Sequence, residues 1–151
     1  MMTEANKIVV YVDDEQELID LVSMMLRPRG FRVVGAQGGC KGLEVIRRVK
    51  PDLVLLDLMM PDMNGDQVYR CLKNDDTLKH IPVVFITADA TPKTRALCMK
   101  ANGFVPKPFG LRELANTIEQ ALSSAKQDGT FRYTTGQIEN CGQAEPAFLG
   151  R

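Results

Sequence analysis

Short apolar runs alternate with stretches of helical periodicity along the whole front of this chain. Ile8-Val9-Val10-Tyr11-Val12 is a β-branched run that ends at Asp13-Asp14, the pattern of a buried strand. Leu18, Ile19, Leu21, Val22, Met25 and Leu26 follow at helical spacing, which predicts a helix from near Glu15 that stops before Pro28 and Gly30. Phe31 to Gly35 predicts a second strand, and Leu43, Ile46 and Val49 a second helix. Gly38, Gly39 and Gly42 weaken the start of that helix, because glycine has a high conformational cost there. Leu53-Val54-Leu55-Leu56 is a wholly apolar third strand ending at Asp57, followed by a loop with Pro61 and Gly65 and a helix over Asp66 to Lys73. Val83 to Ile86 is a fourth strand ending at Thr87, and a short helix follows Pro92 to about Lys100. Gly103 to Pro106 is a brief fifth strand, and Leu111, Leu114, Ala115, Ile118 and Leu122 mark a last helix.

Strand then helix, repeated in this way, implies an α/β fold with a parallel sheet covered on both faces. Strands three and four lack polar alternation, as central strands do. Pro106 has no amide hydrogen for a ladder, which sends strand five to a sheet edge. The doubly wound order 2-1-3-4-5 satisfies both constraints. The change in character after Ala125 places a boundary there, so residues 1–125 form one domain. Residues 126–151, with Gly129, Gly136, Gly142 and Gly150 and few large apolar side chains, read as a C-terminal tail or linker that is free to be mobile. Its Phe131, Tyr133, Ile138, Phe148 and Leu149 are candidates for docking on the domain or on a partner.

Composition narrows the chemistry. Lys plus Arg and Asp plus Glu are 19 each, so no global field pulls the chain onto DNA or an anionic membrane. Direct DNA binding and membrane association are therefore not expected. The four cysteines, Cys40, Cys71, Cys98 and Cys141, are widely spaced with no metal-type motif, which favours reduced thiols in the cytoplasm. Met1 to Lys7 lacks the basic and apolar regions of a secretory leader.

Ligands of an open parallel sheet bind at the carboxyl ends of its strands. Here those ends offer Asp13 and Asp14, then Asp57, then Thr87 and Ala88, then Lys107 and Pro108. Crowded carboxylates raise one another's pKa and stay ionised together only beside positive charge. Lys107 and one divalent cation balance three carboxylates, and an all-oxygen set that leaves room for phosphate suits Mg²⁺. Asp57, on the central strand, is the candidate nucleophile for an aspartyl phosphate. Each residue alone has a plainer reading. Asp14 with Glu17 three residues on could simply cap the first helix, and Lys107 alone is an ordinary surface lysine. The joint placement at four strand ends is what points to chemistry.

Asp13-Asp14, Asp57 with Met60-Pro61 and Gly65 behind it, Thr87-Ala88 and Lys107-Pro108-Phe109 resemble the receiver domain of two-component response regulators, over roughly residues 7–124. The resemblance implies the flavodoxin-like receiver fold with five helices, and a sensor histidine kinase or histidine phosphotransfer protein as phosphodonor. It implies that Asp57 is the phospho-acceptor and that Mg²⁺ is held by Asp13, Asp14, Asp57 and the backbone carbonyl of Met59, with Asp14 the more direct of the acid pair. It further implies that Lys107 pairs with the phosphoryl group, that Thr87 moves to hydrogen-bond it, that Phe104 is the switch aromatic, and that the Lys107-Pro108 bond is cis. The switched surface would be helix four, strand five and helix five, offered to an effector protein or a second copy of the chain. Phe104 lacks the hydroxyl of the frequent tyrosine, Pro106 is unusual before the lysine, and Met59 and Asp89 occupy positions that tune phosphoryl lifetime in the family. Phosphatases with an aspartyl-phosphate intermediate want an acid where Met59 stands, and a flavodoxin-like cofactor carrier would not place Asp13-Asp14-Glu15 against a phosphate. A transcription factor would need a DNA-binding module outside this chain or a partner.

Overall fold

The computed structural model describes residues 6–89 and 91–127. The expected tail from residue 128 onward, with its aromatic residues and Cys141, lies outside the described residues. Eleven elements follow in chain order, opening with β1 (Lys7–Asp13), α1 (Gln16–Leu26) and a 3₁₀ turn (Arg27–Arg29). Next come β2 (Phe31–Gln37), α2 (Gly39–Val49), β3 (Leu53–Asp57) and α3 (Gly65–Lys73). The described residues finish with β4 (Val83–Thr87), α4 (Pro92–Cys98), β5 (Gly103–Pro106) and α5 (Leu111–Gln127). The expected boundary at residue 125 therefore falls inside α5.

The five strands form one parallel sheet in the order β2-β1-β3-β4-β5. Every residue of β3 and β4 is buried, which is why those strands read as unbroken apolar runs. Residues alternate between two cores because successive strand side chains point to opposite faces. Val10, Val12, Val54, Leu56, Val83 and Phe85 pack on one side with α2 and α3. Val9, Tyr11, Leu53, Leu55, Val84 and Ile86 pack on the other with residues of α1 and α5. β5 is an edge, and its Pro106 pairs with Thr87.

Helix ends match their local chemistry. α1 gives way to the 3₁₀ turn holding Pro28, and Gly30 closes that turn at φ +89°, a left-handed conformation natural to glycine. Asn64 and Gln67 form a reciprocal capping box at the start of α3. Asp14 does not cap α1; the cap position is Glu15, with no side-chain hydrogen bond.

The glycines that should weaken α2 have a packing reason. A Cβ on Gly42 would sit 2.7 Å from a Val12 methyl, and one on Gly39 would sit 2.7 Å from the Met63 carbonyl oxygen. Bare backbone lets α2 lie against β1 and against the loop after β3. Gly65 is tighter still, since a Cβ there would meet the Asp57 carbonyl oxygen at 2.5 Å and the Leu58 Cα at 2.8 Å. Both are backbone atoms that cannot step aside. Gly65→Ala should therefore lower unfolding stability by about 1–3 kcal/mol. Gly110→Ala, where a Cβ meets nothing within 4 Å, should change it by less than about 0.5 kcal/mol. Urea denaturation of the two variants checks the contrast.

Candidate functional site

The carboxyl ends of β1, β3 and β4, with the segment after β5, bring Asp13, Asp14, Asp57, Thr87 and Lys107 to one edge of the sheet. Ligand oxygens of Asp13, Asp14 and Asp57 all lie within 4.8 Å of one another. Asp13 is fully buried and Asp57 nearly so, at 3% exposure, whereas Asp14 is exposed. Lys107 lies across them, with Nζ 3.2 Å from Asp13 Oδ2 and 3.4 Å from Asp57 Oδ2. The Lys107-Pro108 peptide bond is cis. The Lys107 amide donates to the Thr87 carbonyl at 3.0 Å, which ties the end of β4 to the lysine.

Asp13 already has three donors. Its Oδ1 accepts the Glu15 amide at 3.0 Å, and its Oδ2 accepts both Lys107 and the Tyr11 hydroxyl, the latter at 2.6 Å. Asp57 Oδ1 accepts the Met59 amide at 3.2 Å. Among the described residues, Asp14 has no side-chain hydrogen bond and keeps both oxygens free. Hard oxygen ligands at this density fit a small divalent cation such as Mg²⁺.

Burial dominates the electrostatics of Asp57. It pushes the carboxyl up to about 6, and the neighbouring Asp13 charge adds to that, while Lys107 and the Met59 amide pull the other way. For Lys107, burial alone would favour the neutral amine, but the Asp57 and Asp13 carboxylates hold its pKa above the ordinary lysine value. Burial, then the bond to Asp13, drives the Tyr11 phenol far above its usual range, so Tyr11 acts purely as a donor.

Tyr11, Glu15 and Asp62 were not among the expected site residues. Tyr11 carried a signal, because residues two apart in a strand share a face and a buried tyrosine hydroxyl seeks a partner. Glu15 Oε1 lies 4.0 Å from Lys107 Nζ at the exposed rim. Asp62, in the loop after β3, accepts the Gly39 and Cys40 amides at 3.1 Å each. It thus caps α2 from a distant segment, which no local pattern announces. Those amides hold the Asp62 carboxyl below the usual carboxylate range. Phe104, the expected switch aromatic, is 8% exposed and belongs to the core that includes Phe85, Cys98 and Met99. Met60 is buried, while Met24 and Met59 are 67% and 61% exposed.

A raised carboxyl pKa fixes the sign of a stability effect. The folded chain holds the Asp57 proton more tightly than the unfolded chain does between about pH 4 and 6. Asp57 therefore contributes a loss of stability as pH rises through that window. In metal-free buffer at pH 7, Asp57→Asn should raise unfolding stability by on the order of 1–3 kcal/mol. The gain should shrink towards pH 4, and thermal melts in chelator across that range read it directly.

Comparison with known proteins agrees with this geometry. The profile of the response regulator receiver domain matches residues 9–119. The DNA-binding response regulator MtrA of Mycolicibacterium smegmatis is 34% identical over 133 residues, covering 87% of this chain and 57% of MtrA. This chain thus spans little more than half of that relative. The polar-differentiation response regulator DivK of Brucella anthropi is 30% identical over 121 residues, covering 79% of this chain and 98% of DivK. In fold, the chemotaxis response regulator CheY4 of Vibrio cholerae superposes with a TM-score of 0.71 at 24% identity, over 78% of this chain and 99% of CheY4. With the expected strand order, the clustered acids and these matches in agreement, the chain belongs to the response regulator receiver domain family.

Proposed function

We propose that Asp57 is the phospho-acceptor of this receiver in two-component phosphorelay signalling. The observation that supports it most is the buried pair of Asp13 and Asp57 bridged by Lys107 at 3.2 and 3.4 Å. An acid pair buried in this way is costly unless it is compensated, and a phosphoryl site is a use for which that cost makes sense. The donor would be a sensor histidine kinase or a histidine phosphotransfer protein, working in the cytoplasm.

Asp14, exposed and without a side-chain hydrogen bond among the described residues, is positioned to be a direct ligand of Mg²⁺. Asp57 and the Met59 carbonyl complete the protein's contribution, and Asp13 acts with its oxygens already shared with Tyr11, Glu15 and Lys107. Bound Mg²⁺ would supply two positive charges that offset the carboxylates and the incoming phosphoryl oxygens. The chain's own part is positioning and charge. Burial keeps water from Asp57, the Met59 amide orients its Oδ1, and the Lys107 ammonium stands ready to pair with a phosphoryl oxygen. Thr87, 1% exposed at the end of β4, adds a hydroxyl donor.

The chemistry would be limited to the chain's own phosphorylation and dephosphorylation, making it a switch rather than an enzyme acting on other substrates. Its output surface would be α4, β5 and α5, presented to an effector protein or to a second copy.

Incubation with acetyl phosphate and Mg²⁺ should add one phosphoryl group to the intact mass. The adduct should vanish in chelator and in Asp57→Asn. Absence of any adduct on folded wild-type protein would overturn the assignment. Calorimetric titration should show Asp14→Asn weakening Mg²⁺ binding by at least about tenfold.

A further inference from the structure

Tyr11 is fully buried in β1, between Gly35 of β2 and Leu55 of β3. Its ring belongs to the core that contains Val9, Ile19, Leu53 and Val84, a place where phenylalanine would fill the same space. The hydroxyl sets the residue apart, because a buried hydroxyl needs a partner. It donates to Asp13 Oδ2 at 2.6 Å. The same oxygen accepts Lys107 Nζ at 3.2 Å. The phenol bond has the short length usual for a hydroxyl on a carboxylate, whereas an ammonium bond normally closes to about 2.7–2.9 Å. Lys107 is therefore the looser of the two partners.

We propose that Tyr11 is a positioning residue for the cation site. It holds the Asp13 carboxylate towards the acid cluster independently of Lys107, so the lysine can leave for a phosphoryl oxygen without Asp13 turning away. This rests on the Mg²⁺ and phosphoryl site proposed above and adds a residue that acts on it through Asp13. An ionised carboxylate has about four lone-pair sites. The Glu15 amide takes one on Oδ1, and Tyr11 and Lys107 take those on Oδ2. The site left on Oδ1 is the one open to a cation or to its hydration water. Without Lys107, the Glu15 amide and the Tyr11 hydroxyl still hold one oxygen each. Without the hydroxyl as well, Oδ2 of a fully buried carboxylate has no donor among the described residues, and the group can turn about its last bond.

The sheet makes this hold a stiff one. Tyr11 and Asp13 are two apart on β1 and share a face, and β1 is hydrogen-bonded to β2 on one side and β3 on the other. The place of the hydroxyl is thus set by packed core and not by a loop. Lys107 reaches in from beyond β5 on a long flexible stem, and its side chain is 19% exposed. A donor fixed by the core suits the permanent task of orienting Asp13. A donor on a flexible stem suits the task of changing partners.

Calorimetric titration with Mg²⁺ tests this on the wild type, Tyr11→Phe, Lys107→Met and the double variant, with urea unfolding to confirm that each is folded. Tyr11→Phe keeps the ring and should weaken Mg²⁺ binding by about tenfold. In the Lys107→Met background, where the hydroxyl is the last donor on Oδ2, the same substitution should weaken it by more, about thirtyfold. A change below about twofold in the first comparison, or the same factor in both, would overturn the proposal, since equal factors mean that Tyr11 does not share Asp13 with the lysine. A second readout needs no metal. In chelator, the Tyr11 hydroxyl proton should give a down-field NMR resonance that Tyr11→Phe and Asp13→Ala abolish and Lys107→Met retains. If the wild type binds no Mg²⁺, the cation site has failed as a reading, and the resonance decides whether Tyr11 holds Asp13 on its own. Its loss in Lys107→Met sinks the idea. If Lys107→Met does not fold, the wild-type comparison and the dependence of the resonance on Asp13 decide.

Discussion

Everything at this sheet edge depends on one ammonium group meeting two buried carboxylates. Lys107 is 94 residues from Asp13 and 50 from Asp57 in sequence, and only the doubly wound order brings them together. β3 must lie between β1 and β4, and β5 must follow β4, for a long side chain after β5 to reach across to both acids. Without that reach the two carboxylates would be buried against each other, which a fold of ordinary stability tolerates poorly. The apolar strands beneath are accordingly buried and continuous. They hold charges where water would otherwise pull them apart.

The same arrangement leaves the site poised rather than relaxed. Asp57 is pushed towards its neutral form, because burial and Asp13 outweigh what Lys107 and the Met59 amide return. Binding sites often keep such local discomfort at the expense of stability. Tyr11 and the Glu15 amide donate to Asp13 from within the core and from the start of α1.

Much of this was legible in the chain itself, and for identifiable reasons. Strand order followed from Leu53–Leu56 and Val83–Ile86 being apolar throughout and from Pro106 excluding a central position. The acid cluster followed from Asp13, Asp14 and Asp57 ending apolar runs. What escaped depends on contacts between distant segments. Gly39 and Gly42 read as weak helix formers because their neighbours, Met63 and Val12, are known only once the chain is folded. Asp62 is a loop acid by sequence until α2 is seen to begin on it. Asp14 taken alone also read as a helix cap, and among the described residues its lack of side-chain hydrogen bonds sets it apart from Asp13.

Pro106 has a consequence beyond sending β5 to the edge. The Lys107 amide points inward to Thr87, so by the two-residue alternation of a strand the nitrogen of Pro106 points outward. It is the position where a missing hydrogen costs the sheet no bond. It also removes a donor from the open border of a strand only four residues long, where a foreign strand would otherwise register. Copies of this chain crowded together are thus discouraged from zipping sheet to sheet along β5. Contacts on that flank are left to side chains of the neighbouring helices, where they can be specific and reversible.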